Sequence, residues 1–306
     1  MNSPTHATAT AGLLCAALLS LTGCGAAPAA AQDSLTAAYP AETCRSCAEW
    51  NEPQEPFQIH GDTYYVGTRG LAAVLVTSPE GHVLIDGGLP DSAPLILENI
   101  AALGFDADDV EVILNTHAHF DHAGGIAALQ EATGARVVAT PESAAAMRQG
   151  SAVEGDPQRD HLLDFPAVAT VEEIGHGETL EVGPLALTAH VTPVHSPGGT
   201  TWSWKSCEGG LCLDMVFADS QSVISAEGFR FTDSPALGEY EMGFGRLERL
   251  PCHILITPHP GASSFWERLD GPGLMDPAAC VRYAQQARAS LAERLGREAS
   301  EAPAEP

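Results

Sequence analysis

Between residues 55 and 295, apolar runs of strand length alternate with longer stretches in which apolar residues return every three or four positions. The first three runs, "TYYVG", "LAAVLVTS" and "HVLIDGG", are parted by Gly-bearing turns such as "PEGH" and read as strands of one sheet. "DSAPLILENIAALGF" changes period: its apolar positions share a helical face, Asp91 or Ser92 suits its start and Gly104 its end. "VEVILNTH" follows as a buried strand, "GGIAALQEATG" as a helix, "ARVVAT" as a strand and "PESAAAMRQG" as a helix with Pro in its first turn.

Residues 151–168 hold no sustained period and read as a loop. Beyond them "ATVEEI", "ETLEV", "LALTAHV", "TTWSWKS" and "LDMVFADS" read as strands, Leu237 to Leu250 as a helix, "HILITPH" as another buried strand and "PAACVRYAQQARASLAERLG" as a closing helix. Helices set among runs of strands in both halves predict an α/β architecture of two sheets face to face with helices outside, each half-chain supplying one side. No linker of domain-separating composition interrupts residues 55–295, so one domain is expected over 55–296, followed by a polar, disordered tail at 297–306.

The N-terminal residues belong to a different pattern. "AGLLCAALLSLTGCG" is too short an apolar run to span a bilayer and ends in small residues, as a secretion signal does; residues 1–24 are read so. "LTGC" resembles a bacterial lipobox, which would lipidate Cys24; cleavage after "APAAA" is the alternative, and the absence of Lys or Arg from the first ten residues departs from the usual signal. Residues 25–54 read as an N-terminal extension that passes over the surface. Six cysteines remain beyond the signal: Cys44, Cys47, Cys207, Cys212, Cys252 and Cys280. An even number in an exported chain reads as disulfides, with fifteen pairings open. A zinc ribbon on Cys44 and Cys47 lacks its second CxxC.

A net charge of −26 with a single lysine, Lys205, excludes nucleic acid as a partner, since phosphate binding needs clustered basic groups. An anionic substrate would have to be drawn in by a local positive charge. "NTHAHFDHAGG" supplies the means. His117 and His119, two apart at a strand end, project to the same side, and Asp121 and His122 follow where the chain turns. Imidazole and carboxylate favour Zn²⁺ or a similar ion over Ca²⁺ or Mg²⁺, and four donors on one short turn serve two ions better than one. Further donors must then come from the second half. His195 in "TPVHSPGGTTW" and His259 in "ILITPHPGAS" stand just past apolar strands; His190 and His253 compete with them.

HxHxDH, then the histidine of "HSPGGTTW", then that of "LITPHP", resembles the metallo-β-lactamase superfamily, and the wording across residues 50–290, including "VFADSQS", resembles its subclass B3 enzymes. The resemblance implies a four-layer αβ/βα sandwich with its site at the edge where the halves meet. It implies two Zn²⁺ ions, one on His117, His119 and His195 and one on Asp121, His122 and His259. Asp121 would also orient a metal-activated hydroxide that attacks the β-lactam amide of penicillins, cephalosporins and carbapenems. Val194 stands where that family usually has Gly, a bulk that would press on the His195 loop.

Glyoxalase II-type thioesterases and lactonases share HxHxDH but place a bridging Asp between the metals. Neighbouring residues of "FADSQS" face opposite sides, so Asp219 in the site would allow such a bridge and Ser220 would not. The resemblance favours Ser220, with Ser222, as donors to a substrate carboxylate, and Trp50 at the lip of the site. It pairs Cys252 with Cys280; Cys207 with Cys212 then spans "SCEGGLC", and Cys44 with Cys47 is left by elimination. The expected protein is a monomer in the periplasm or on the outer membrane, touching membrane only through a lipid at Cys24, with a small β-lactam as its partner. A lactonase or thioesterase of the same fold and a non-catalytic zinc-binding lipoprotein are the alternatives.

Overall fold

Alternation within each strand decides which layer a residue enters. In the computed structural model, which describes Met1 and residues 34–301, strands β1 (Phe57–His60), β2 (Thr63–Tyr65), β3 (Val74–Val76), β4 (His82–Ile85), β5 (Val110–Leu114), β6 (Arg136–Ala139) and β7 (Glu172–Glu173) form one sheet in that order. Pairing is antiparallel from β1 to β4 and parallel from β4 to β7. The second sheet has the order β12-β11-β10-β9-β8, from β8 (Thr179–Val182), β9 (Leu185–Val191), β10 (Thr200–Glu208), β11 (Leu211–Phe217) and β12 (Ile254–Ile256). Only β11 and β12 in it run parallel.

Val74, Val76, Val83, Ile85, Val112 and Leu114 turn inward and meet Leu187, Trp202, Met215, Phe217, Ile254 and Ile256 of the facing sheet, forming one core. The residues between them turn outward. Leu75, Leu84 and Ile113 pack under helices α2 (Ala93–Ala102), α3 (Ile126–Thr133) and α4 (Pro141–Gln149). Val216 and Leu255 pack under α5 (Leu237–Glu248) and α7 (Ala279–Ser300). The result is the αβ/βα sandwich. Two further short helices, α1 (Cys47–Trp50) and α6 (Phe265–Leu269), flank it.

Some elements differ from the sequence reading. The strand in "ATVEEI", expected to open the second half, is the two-residue β7 and closes the first sheet, because Val138 and Ala139 of β6 pair with Glu172 and Glu173. The closing helix runs to Ser300 and takes in part of the tail expected to be disordered at 297–306. Its last turn is held by Glu298, whose carboxylate accepts the N–H groups of Phe231 (3.2 Å) and Thr232 (2.9 Å) and pairs with Arg294 (2.6 Å). β1 lies ahead of "TYYVG", at positions where the apolar pattern marks no strand.

Disulfides join Cys44 to Cys47, Cys207 to Cys212 across the β10–β11 hairpin, and Cys252 to Cys280, the last tying the start of α7 to the chain entering β12. The segment expected to be a signal, 1–24, lies outside the described residues apart from Met1, as does Cys24, its expected lipidation site. Among those described, no helix is long and apolar enough to cross a membrane.

Candidate metal centre

The loop leaving β5 is clamped by both sheets before it reaches its histidines. From β10, the Trp202 indole donates to the Asn115 carbonyl at 3.0 Å and the Thr200 N–H to the Thr116 carbonyl at 2.7 Å. From the other side Asp86, just past β4, accepts the Thr116 N–H (2.7 Å), the Thr116 hydroxyl (2.6 Å) and the Asn115 amide (3.1 Å). Asp86 is fully buried at φ +64°, a conformation a non-glycine residue keeps only where its surroundings over-determine it. Burial pushes its carboxyl up to about 7 in spite of those three donors. The chain then turns back on itself: the His119 carbonyl accepts the N–H groups of His122 (3.1 Å) and Ala123 (2.8 Å). Gly125 is required beside it, since a Cβ there would collide with the Gly87 carbonyl oxygen.

This folding brings six side chains into two adjacent triplets. His117, His119 and His195 form one, and Asp121, His122 and His259 the other; the ligand atoms of each lie within 4.8 Å of one another. The rings of His117 and His122 link them, with centroids 4.4 Å apart. His190 and His253 are elsewhere: His190 bonds the Ser203 hydroxyl at 2.8 Å, and His253 pairs with Asp214 at 3.1 Å.

A layer of partners stands behind the histidines, and the tautomers are assigned from those partners. His117 Nδ1 donates to Asp219 Oδ1 at 2.8 Å, which leaves Nε2 as acceptor; that atom is buried with no protein partner, as a nitrogen facing a cation would be. His119 Nε2 donates to Asp156 Oδ2 at 2.8 Å, freeing Nδ1. Asp156 is fixed in turn by the Ser196 hydroxyl (3.0 Å) and the Gln158 N–H (2.8 Å). His195 Nδ1 donates to the Ser222 carbonyl at 3.0 Å, and its Nε2 accepts from the Gln158 amide at 3.2 Å.

The electrostatics suit a cation. Burial holds His117 well below the ordinary histidine range, lowers His122, and brings His195 down to about 3, with His119 adding to the last effect. These imidazoles are neutral; the His117 Nε2 lone pair has no protein partner, while that of His195 Nε2 accepts from the Gln158 amide. Burial works to raise Asp121, but His122 and His259 outweigh it and hold the carboxyl well below the usual carboxylate range. Asp156 is lowered for a similar reason: its contact with His119 and its other donors overcome burial.

The remaining expected residues fall around these triplets. Asp219 stands behind His117 and belongs to neither triplet, so its carboxylate does not lie between them. Ser220 and Ser222 line a cleft that includes His259. Ser222 does more than expected: its hydroxyl also lies 2.8 Å from His195 Nδ1 and 3.2 Å from that of Ser220. The Trp50 ring is 5.1 Å from that of His259 and packs with Phe120. Val194 is buried against α5, where Gly243 leaves it room: a Cβ on Gly243 would lie 3.0 Å from Val194 Cγ2. The bulk is absorbed there, and His195 keeps its place among the histidines.

Sequence reasoning missed Asp86, Asp156 and Gln158, and missed the role of Asp219. Asp156 and Gln158 sit in the aperiodic loop with no spacing to mark them. Only the carboxylate of "IDGG", preceding two glycines after a strand, carried a local signal.

Comparisons with known proteins agree with this geometry. Residues 66–267 match the family model described as the metallo-beta-lactamase superfamily. The fold superposes on the Rm3 metallo-beta-lactamase with a TM-score of 0.82 at 48% identity, over 84% of this chain and 99% of that one. It superposes on MEM-A1, a subclass B3 metallo-beta-lactamase from a soil metagenome library, with a TM-score of 0.80 at 44% identity, over 83% and 100% of the two chains. A hydroxyacylglutathione hydrolase of Pseudomonas aeruginosa is 33% identical over 146 residues, which is 47% of this chain and 45% of that protein. Fold, donor triplets and matched residues together place the chain in the metallo-β-lactamase superfamily, where it is similar to the subclass B3 enzymes.

Proposed function

We propose that the protein is an exported dizinc β-lactamase that opens the β-lactam amide of penicillins, cephalosporins and carbapenems and so confers antibiotic resistance. The observation that carries the reading is the pair of adjoining triplets beside a serine-lined cleft, with Asp219 withdrawn behind His117. Neutral imidazoles with one carboxylate are the donor set Zn²⁺ takes, and the buried, partnerless Nε2 of His117 fits it. His117, His119 and His195 would hold one ion and Asp121, His122 and His259 the other. When bound, such ions make water acidic enough to attack at neutral pH and polarise the amide carbonyl.

The chain's own groups do the rest. Asp121, held ionised, has acceptor oxygens to orient a nucleophilic water. Ser220 and Ser222 are placed to donate to the substrate carboxylate, and Trp50 borders the site. Two cations held by these triplets would supply the local positive charge that an anionic substrate needs on a chain of net charge −26. Three disulfides accord with an oxidising compartment, and the periplasm is where a β-lactamase shields cell-wall synthesis.

Partial likeness to hydroxyacylglutathione hydrolases favours a second reading, a thioesterase or lactonase. Nitrocefin, a carbapenem, a glutathione thioester and an acyl-homoserine lactone, each assayed with zinc and with chelator, separate the readings. Zinc-dependent turnover of the β-lactams supports the first. Turnover of the thioester or lactone alone selects the second, and a zinc-loaded protein inert to all four is a binding protein.

A further inference from the structure

The cleft beside the metal centre is larger than the placing of two serines requires. Its volume is about 470 Å³, within the ~300–1,000 Å³ usual for small-molecule sites. His259 belongs both to it and to the second triplet, so it opens directly off the metal centre. Beyond Ser220 and Ser222 its character changes. Val223 and Ile224 line it from the loop after β11, Tyr283 and Ala287 from α7, and Ala262 from the loop after β12. Ile224 is 55% exposed, one of five large apolar side chains so exposed among the described residues. Metal binding gives none of these five lining residues a task.

A smaller hollow of about 180 Å³ shares Ala262 and Tyr283 and is lined by Arg268 and Arg282. Neither arginine lines the cleft itself. Arg282 pairs with Asp276, and Arg268 donates to the Leu255 carbonyl at 2.6 Å. The cleft therefore offers mainly apolar contact, with Gln221, Gln286 and Ser290 as further uncharged polar lining and no lysine or arginine for a second anionic group.

We propose that this cleft is a selectivity subsite for the substituent that a bicyclic β-lactam carries on the ring carbon next to its carboxylate-bearing carbon, and that it favours bulky apolar groups there. The inference rests on the β-lactamase reading above. In cephems and carbapenems that ring carbon bears the variable side chain, whereas in penams it bears two methyl groups. With the carboxylate on Ser220 and Ser222, the side chain starts one bond from the anchored carbon and enters the space lined by Val223, Ile224 and Ala287. Apolar surface buried there raises affinity for cephems and carbapenems with long substituents and adds nothing for penams.

The test uses the zinc-loaded protein and two cephems identical except at that carbon, one with a methyl group and one with an arylvinyl group that is not expelled on ring opening. Ile224→Ser removes the apolar lip, and Ala262→Gln fills the cleft with a polar chain; both positions are exposed, and thermal unfolding checks that the variants are folded. The native protein is expected to prefer the arylvinyl cephem in kcat/KM, and each variant to lower that preference about tenfold through KM. A native preference for the methyl cephem, or a ratio unchanged in both folded variants, overturns the subsite while leaving the β-lactamase reading standing. No turnover of either cephem by zinc-loaded protein overturns that reading, and the subsite with it.

Discussion

Each histidine of the first triplet has two ring nitrogens, and one of them is held by a partner that fixes the ring; at His195 the second also accepts from the Gln158 amide. Asp219 does this for His117, Asp156 for His119 and the Ser222 carbonyl for His195. Removing such a partner frees the ring to rotate and to take the wrong tautomer, which typically costs 10- to 100-fold in metal affinity (~1.4–2.7 kcal/mol). Asp219→Ala and Asp156→Ala are each expected to weaken zinc binding about that much, measured by competition with a chromophoric chelator. Affinity unchanged in both would remove the aiming role. The donors at His117, His119, Asp121 and His122 were legible in the sequence because they crowd into six residues. Asp156 was not, because the proximity that defines its role, 37 residues from His119 along the chain, is made only by the fold.

Among elements, strands whose side chains alternate between two buried layers, such as β3, β4, β5 and β12, were legible because both layers take apolar residues and leave a continuous run. β7 escaped placement in its sheet because two exposed glutamates carry no facing pattern. α7 overran its expected end because a tertiary contact, Glu298 to the backbone of Phe231 and Thr232, holds its last turn. Its other end is tied by Cys252–Cys280, which closes a loop with a sequence separation of 28. A loop of that size is worth ~3 kcal/mol. The Cys252→Ala/Cys280→Ala variant should therefore melt ~6–12 °C lower than the native protein by calorimetry. An unchanged Tm would show that packing of α7 on the second sheet suffices by itself.

At the scale of the whole molecule, two half-chains each contribute part of a site that neither completes. The loop after β5 brings four donors, and the second half brings His195 and His259. Without cations, the buried imidazoles must stay neutral, and this sets a pH dependence. His117 and His195 have folded-state values below the ordinary 6.5, so on acidification the unfolded chain takes up their protons first. Their contribution to stability is present above about pH 6.5 and is lost as the pH falls toward about 3. Asp86, pushed up to about 7, takes up its proton in the folded state over the same window and offsets that loss, so the readout is a difference. Chelated native protein should lose more Tm between pH 7 and pH 5 than its chelated His195→Gln variant by scanning calorimetry, and equal changes in the two would contradict the assignment of a neutral, buried imidazole at His195.

The central question is whether the two triplets together open β-lactams. The most direct measurement adds Zn²⁺ stepwise to chelated protein while following carbapenem hydrolysis and bound metal in the same sample. Turnover absent in the metal-free protein, rising with bound zinc and levelling at two ions per chain is the predicted result. A chain holding both ions without hydrolysing any β-lactam, or one that hydrolyses them equally well without metal, would contradict it.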